Sequence, residues 1–304
     1  MTRRNVLVIG GTRFVGRLLV ARLLAHGDSV TLFNRGTRDD PFGTHVERLV
    51  GDRTTDDLPR LLRGRTFDGA VDFAAYHASD VAGAIDVLDV GHYIFISTGQ
   101  VYLVRDEVRT PSREADYDGP LKPRPPEASE DAGQWDYGAG KRACEDLLIQ
   151  SPAFRSTRLR IPMVNGPRDH DGRLLRYVRR ILHGEPLLVG RNTADRRVRH
   201  VDAMEVARTI DLLLGDSRAI GEAFNQTQDE TPTLRDLLTM LMRELALEVP
   251  IVEADVSVEV SPFSARWMSF LDPAKIRAFG IDHAPLERTL ARAVGHLLGE
   301  MPLH

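Results

Sequence analysis

Short apolar runs alternate with longer stretches of helical spacing along most of the chain. Asn5-Val6-Leu7-Val8-Ile9 is apolar and rich in β-branched residues, as a strand buried on both faces requires. Leu18, Leu19, Ala21, Leu23 and Leu24 then mark one side of a helix, with Arg17 and Arg22 on its wet side. His26-Gly27-Asp28 supplies a glycine stop. Ser29-Val30-Thr31-Leu32-Phe33 is a second strand, and residues 46–50, 70–75 and 93–97 read as further ones. Helical spacing returns over 174–182, 201–214, 234–245 and 285–298. This alternation predicts an α/β fold with a doubly wound parallel sheet. Residues 106–134, rich in proline and acid, interrupt it and read as a loop or lid whose length points to function. With 304 residues, one large domain or two unequal lobes is expected.

The turn between the first strand and the first helix is Gly10-Gly11-Thr12-Arg13-Phe14-Val15-Gly16. Glycines there let backbone amides approach a pyrophosphate at the helix's positive end. Gly10, Gly11 and Gly16 are placed for that task, while Arg13 occupies the usual place of a middle glycine. After the second strand an acidic residue would bond ribose hydroxyls and favour NAD. Asn34-Arg35-Gly36 stands there instead, and an arginine can pair bidentately with a 2′-phosphate. NADP(H) is the preferred cofactor on this reading and NAD(H) the alternative. Asp52, in Gly51-Asp52-Arg53, either accepts from an adenine amino group or caps the next helix.

Composition narrows the class. A formal charge of −4 gives no long-range attraction to nucleic acid or anionic lipid. The single cysteine, Cys144, excludes an intrachain disulfide and suits a reducing compartment. No apolar stretch is long enough to span a bilayer, and arginines break the apolar start. A cytoplasmic enzyme without membrane or nucleic-acid partners is expected. No His, Cys or carboxylate spacing resembles a metal site.

Only three of the forty basic residues are lysines, and one of them completes Tyr137-Gly138-Ala139-Gly140-Lys141. Lysine offers a compact, titratable ammonium where arginine offers a permanent fork. Residues four apart share one helix face. The ammonium is therefore expected to draw the phenol's pKa from about 10 toward neutrality and make Tyr137 a proton donor and acceptor.

The glycine turn, Ser97-Thr98-Gly99-Gln100-Val101-Tyr102 and the Tyr137/Lys141 pair follow one another in an order that resembles the short-chain dehydrogenase/reductase superfamily. The chain looks most like its extended type, the NAD-dependent epimerase/dehydratase family. Residues 160–167, Arg199-His200-Val201-Asp202 and Ala223-Phe224-Asn225 are similar to later family segments. The resemblance implies a Rossmann domain over 1–165, to which parts of 196–225 return. It implies a substrate lobe from 166–195 and 226–304. It implies hydride transfer on a nucleotide sugar or similar hydroxylated metabolite, with Thr98, Tyr137 and Lys141 catalytic. Thr98 polarises the substrate carbonyl, with Ser97 its neighbouring competitor. Tyr137 passes the proton, and Lys141 holds the nicotinamide ribose. Cofactor contacts would come from Gly10, Gly11, Thr12, Arg13, Phe14, Val15, Gly16, Asn34, Arg35, Asp52, Arg53, Ala74, Ala75, Pro162, Tyr137 and Lys141. Substrate contacts would come from Thr98, Gln100, Met163 and Arg196. A homodimer through the helix at 137–149 is a family expectation.

Departures from the family pattern narrow the reaction. Sugar 4,6-dehydratases carry an Asp-Glu pair after the catalytic threonine, and Gly99-Gln100 stand in its place, so dehydration is disfavoured. Arg191, Arg196, Arg197 and Arg199 form a basic cluster, of which Arg196 matches a diphosphate-binding arginine. His200 reads as a structural hydrogen-bonder, and His170 and Asp171 receive no role. The alternative class is a non-catalytic dinucleotide-fold module that senses redox state or holds RNA.

Overall fold

The computed structural model describes residues 3–300. Seven strands form its central sheet: β1 (Asn5–Ile9), β2 (Ser29–Asn34), β3 (Val46–Val50), β4 (Gly69–Asp72), β5 (Tyr93–Thr98), β6 (Ser156–Ile161) and β7 (Ala223–Asn225). Their spatial order is β7-β6-β5-β4-β1-β2-β3, and every pair is parallel. The chain starts mid-sheet, runs out to β3 and returns to build the other half from β4. Such a reversal opens a crevice beyond the strands' carboxyl ends.

The helices are α1 (Phe14–Ala25), α2 (Asp57–Leu62), α3 (Ala78–Val87), α4 (Gln100–Leu103), α5 (Glu130–Gln150), α6 (Arg173–Leu182), α7 (Ala203–Leu213), α8 (Leu234–Leu245), α9 (Ala274–Ala278) and α10 (Leu286–Glu300). Strand residues point alternately to the two sheet faces. Val6 and Val8 accordingly join a core with Leu19 and Leu23 of α1 and Val206 and Ile210 of α7. Leu7 and Ile9 join a second core with Val81 of α3 and Cys144 and Leu148 of α5. Burial on both faces explains the unbroken apolar run of β1. A third core gathers α6, α8 and α10 around the parallel pair Leu187–Gly190 and Ile251–Ala254.

Three expectations shift. The strand expected over 70–75 stops at Asp72, whose carboxylate accepts from the Ala74 amide at 2.8 Å. The helix expected from 201 begins at Ala203. His200–Asp202 instead pairs with Met163–Asn165, and Asp202 caps α7 by accepting from the amides of Met204 and Glu205. The 106–134 segment is no simple loop, because Arg105 bridges Leu121, Ser112 bridges Leu271, and Glu130 already opens α5. Among the described residues no helix is long and apolar enough to cross a membrane.

Candidate active site

The turn after β1 is shaped by what its glycines omit. Gly10 adopts φ +85°, and a Cβ on Gly16 would lie 2.9 Å from the Gly11 Cα and 3.0 Å from the Gly10 carbonyl oxygen. The first turn of α1 can therefore sit directly against the strand end. Arg13 is extended, with φ −127° and ψ 151°, and the left-handed conformation falls on Phe14, φ 41°.

A cleft of about 820 Å³ lies over this turn. Of the expected cofactor residues, Gly10, Thr12, Arg13, Phe14, Val15, Gly16, Asn34, Arg35, Asp52, Arg53 and Ala74 line it. Gly11, Ala75, Pro162, Tyr137 and Lys141 are not among the lining residues. Arg38, Tyr76 and His170 line it as well, though the sequence assigned none of them to the cofactor. Arg38 had a signal, a second cation three residues after Arg35; Tyr76 and His170 had none. The guanidiniums of Arg13, Arg35 and Arg38 make no hydrogen bond or salt bridge among the described residues, so their donors are available to a ligand.

Arg53 is differently placed. It is buried between two carboxylates, with Nη1 2.9 Å from Asp72 and Nε 3.4 Å from Asp80, and braces the cleft floor. Asp52 accepts from the Thr54 amide and hydroxyl, while the position before α2 is Asp56. The helix-capping alternative for Asp52 is thereby removed.

Tyr137, Lys141 and Glu145 fall on one face of α5, against the end of β5. Thr98, the last residue of β5, places its hydroxyl beside the Tyr137 phenol. Ser97 instead donates to buried Glu145 at 2.5 Å, which leaves Thr98 as the hydroxyl beside the phenol. This corner adjoins the cleft. The Tyr137 ring lies 6.3 Å from the ring of Tyr76, and Ile161, another cleft residue, is the register partner of Thr98.

The expected electrostatics of the pair are corrected. Lys141 Nζ donates to the Ile96 carbonyl at 2.8 Å and lies 4.7 and 4.8 Å from the ring centroids of Tyr76 and Phe95. Burial pushes this ammonium down to about 8, against the attraction of Asp72. Burial also pushes the Tyr137 phenol up to about 12, the neighbouring Thr98 hydroxyl opposing it. Tyr137 as a residue is 37% exposed, but its hydroxyl end is enclosed, and that enclosure decides the direction. Helical spacing puts two residues on one face; it does not say where an ammonium points.

The remaining candidates are spread through the lobe. Gln100 Nε2 donates to Gln134 Oε1 at 2.7 Å, and its own Oε1 is buried without a partner. Met163 packs against the third core. Arg196 donates to the carbonyls of Phe263 and Ala265. Arg191 pairs with Asp255, Arg197 donates to the Thr231 carbonyl and Arg199 to that of Gln228, so the basic cluster is committed to protein partners. His200 shares a hydrogen bond with Asn165 at 2.9 Å, as a structural residue should.

Comparison with known proteins fits this geometry. The chain is 26% identical over 253 residues to the chloroplast stem-loop binding protein of 41 kDa b from Arabidopsis thaliana, covering 78% of this chain but only 62% of that relative. In three dimensions it is similar to UDP-glucose 4-epimerase from Thermotoga maritima, solved with UDP-glucose. The TM-score there is 0.76 at 19% identity, over 97% of this chain and 99% of that one. The Thermus thermophilus UDP-glucose 4-epimerase in complex with NAD gives 0.74 at 21% identity, over 98% and 100%. At these identities the solved structures establish the fold. The model of the NAD dependent epimerase/dehydratase family matches residues 6–225, and the chain belongs to that family.

Proposed function

We propose that this protein is an NADP(H)-preferring oxidoreductase or epimerase acting on a nucleotide sugar or a similar hydroxylated metabolite. The observation that carries the reading is the Tyr137 phenol beside the Thr98 hydroxyl at the edge of a glycine-turned cleft. The cleft suits a dinucleotide: the Gly10 and Gly16 backbone leaves room for a pyrophosphate, and the free guanidiniums of Arg13, Arg35 and Arg38 suit a 2′-phosphate. When bound, the nicotinamide supplies hydride exchange at a carbinol carbon. Thr98 polarises the carbonyl oxygen. Tyr137, held protonated by its enclosure, is in the form that gives a proton to a developing alkoxide. Lys141, buried behind Tyr76 of the cleft wall, would supply positive charge toward a bound dinucleotide. Gln100, Met163 and Arg196 remain the proposed substrate contacts, with 1–165 and parts of 196–225 as the dinucleotide unit. Residues 166–195 and 226–300 then form the substrate lobe, the last four residues of the 226–304 expectation lying outside the described residues, and α5, which leaves Ile149 47% exposed, forms a homodimer contact.

Dehydration is disfavoured by space as well as by sequence. A Cβ on Gly99 would lie 2.2 Å from the Ser269 hydroxyl, so the acid that elimination needs has no room there. The test is Tyr137→Phe assayed with NADPH against a panel of UDP-sugars and their keto forms. Turnover is expected to fall about 10²- to 10⁴-fold with NADPH affinity retained; undiminished turnover overturns the role. A second reading, RNA binding, rests on the name of the stem-loop relative. Saturable binding of a structured RNA at physiological salt, with no turnover of any sugar, would favour it.

A further inference from the structure

The bonds between α5 and β5 form a ladder. Three helix residues spaced by four meet the last three residues of the strand, one to one. Tyr137 meets the Thr98 hydroxyl, Lys141 meets the Ile96 carbonyl at 2.8 Å, and Glu145 meets the Ser97 hydroxyl at 2.5 Å. The first two rungs hold the proposed proton relay. The third holds no group that reaches the cleft, yet it is the most heavily built.

Glu145 is fully buried, and Arg160 of β6 pairs with it at 2.6 Å while itself only 1% exposed. The guanidinium also donates to the Tyr102 hydroxyl at 2.6 Å and stacks 4.3 Å from the Tyr117 ring centroid. Tyr102 donates in turn to Asn225 of β7 at 2.9 Å. An ion pair in such a place gains little net stability, because desolvating two charges offsets their attraction. Its effect is geometric, because it fixes the Glu145 carboxylate, which then accepts from one hydroxyl of β5 and no other.

We propose that Ser97 and Glu145 are positioning residues for the Tyr137–Lys141 pair: their hydrogen bond sets the register of α5 on β5, with Arg160 fixing the carboxylate. The inference extends the proposed function, whose relay it places, but its test does not need turnover.

Ser97→Ala removes the third rung and leaves the Glu145–Arg160 pair intact. Tyr102→Phe deletes another buried hydroxyl of the same network without touching a rung, and controls for lost stability. The chain has three lysines, so the Lys141 side chain is one of three signals in a carbon-13 lysine spectrum. Lys141 is held at about 8 chiefly by burial. If the third rung keeps the helix seated, Ser97→Ala admits water to the second. The Lys141 midpoint then rises toward its ordinary value by roughly half a pH unit or more, while in Tyr102→Phe it stays. Ser97→Thr, which keeps the hydroxyl, is expected to restore the midpoint. An unmoved midpoint in folded Ser97→Ala, or an equal rise in Tyr102→Phe, overturns the proposal. Failure of Tyr137→Phe to lower turnover would defeat the proposed function and leave this titration standing.

Discussion

At the scale of single residues, the proposed cofactor end of the cleft carries guanidiniums with no hydrogen bond or salt bridge among the described residues. Arg35 lies within electrostatic reach of Asp52 but neither it nor Arg38 is tied down. A guanidinium that already serves a carboxylate has spent its fork, as Arg53 has on Asp72; a free one keeps both donors. Hydrogen bonds to a charged group contribute about 1.5–3 kcal/mol, and about 1.4 kcal/mol is tenfold in affinity. Arg35→Ala and Arg38→Ala are therefore each expected to weaken NADPH binding about tenfold or more and to leave NADH binding nearly unchanged. Fluorescence titration of the two reduced cofactors measures this. Equal losses for both would show that these arginines do not read the 2′-phosphate.

At the scale of elements, α5 carries the proposed proton relay and the buried charge on one face. Truncating one member of a buried ion pair leaves the other unpaired, at a cost of about 3–5 kcal/mol. Glu145→Ala is expected to lower the unfolding free energy measured by urea denaturation by that amount, and Glu145→Leu with Arg160→Met to recover most of it. A Glu145→Ala loss below about 1 kcal/mol would mean that Arg160 finds another partner. The same helix shows what a sequence reveals. The strands, the glycine turn and the Tyr137/Lys141 spacing were legible because period and turn chemistry are local. Thr98 was legible through its motif. The rung from Ser97 to Glu145 spans 48 residues and the bond from Tyr102 to Asn225 spans 123, and no local pattern announces either. The direction of the Lys141 ammonium was hidden for a related reason: the carbonyl that holds it, Ile96, belongs to another element. Val201 and Asp202 of the His200–Asp202 strand were taken for helix because their partners in Met163–Asn165 lie far back in the chain.

For the whole molecule, two buried imidazoles tie distant parts of the chain and make its stability respond to acid. His92 lies 2.8 Å from the Thr157 hydroxyl and accepts from the Gly215 amide at 3.0 Å, joining the starts of β5 and β6 to the end of α7. His200 joins its strand to Asn165. Burial holds both down to about 4, with Arg155 adding to the effect at His92 and Arg199 at His200. In the unfolded chain each would titrate near 6.5. Between those values the unfolded state binds protons that the folded state refuses, so stability is full above about 6.5 and falls as pH drops toward 4. The slope reaches roughly 1.4 kcal/mol per pH unit for each histidine. Glu114 and Asp202, raised by burial, act in the opposite direction, so the total slope alone does not isolate the imidazoles. A variant does. His200→Gln keeps an amide to meet Asn165 and removes one titrating site. Urea unfolding at pH 7, 6 and 5 should therefore show a shallower loss for His200→Gln than for the parent chain, by up to one proton's worth of slope. Parallel losses in the two proteins would mean that His200 is protonated in the folded state already, and that its surroundings are wetter than the packing of Phe263 against it implies.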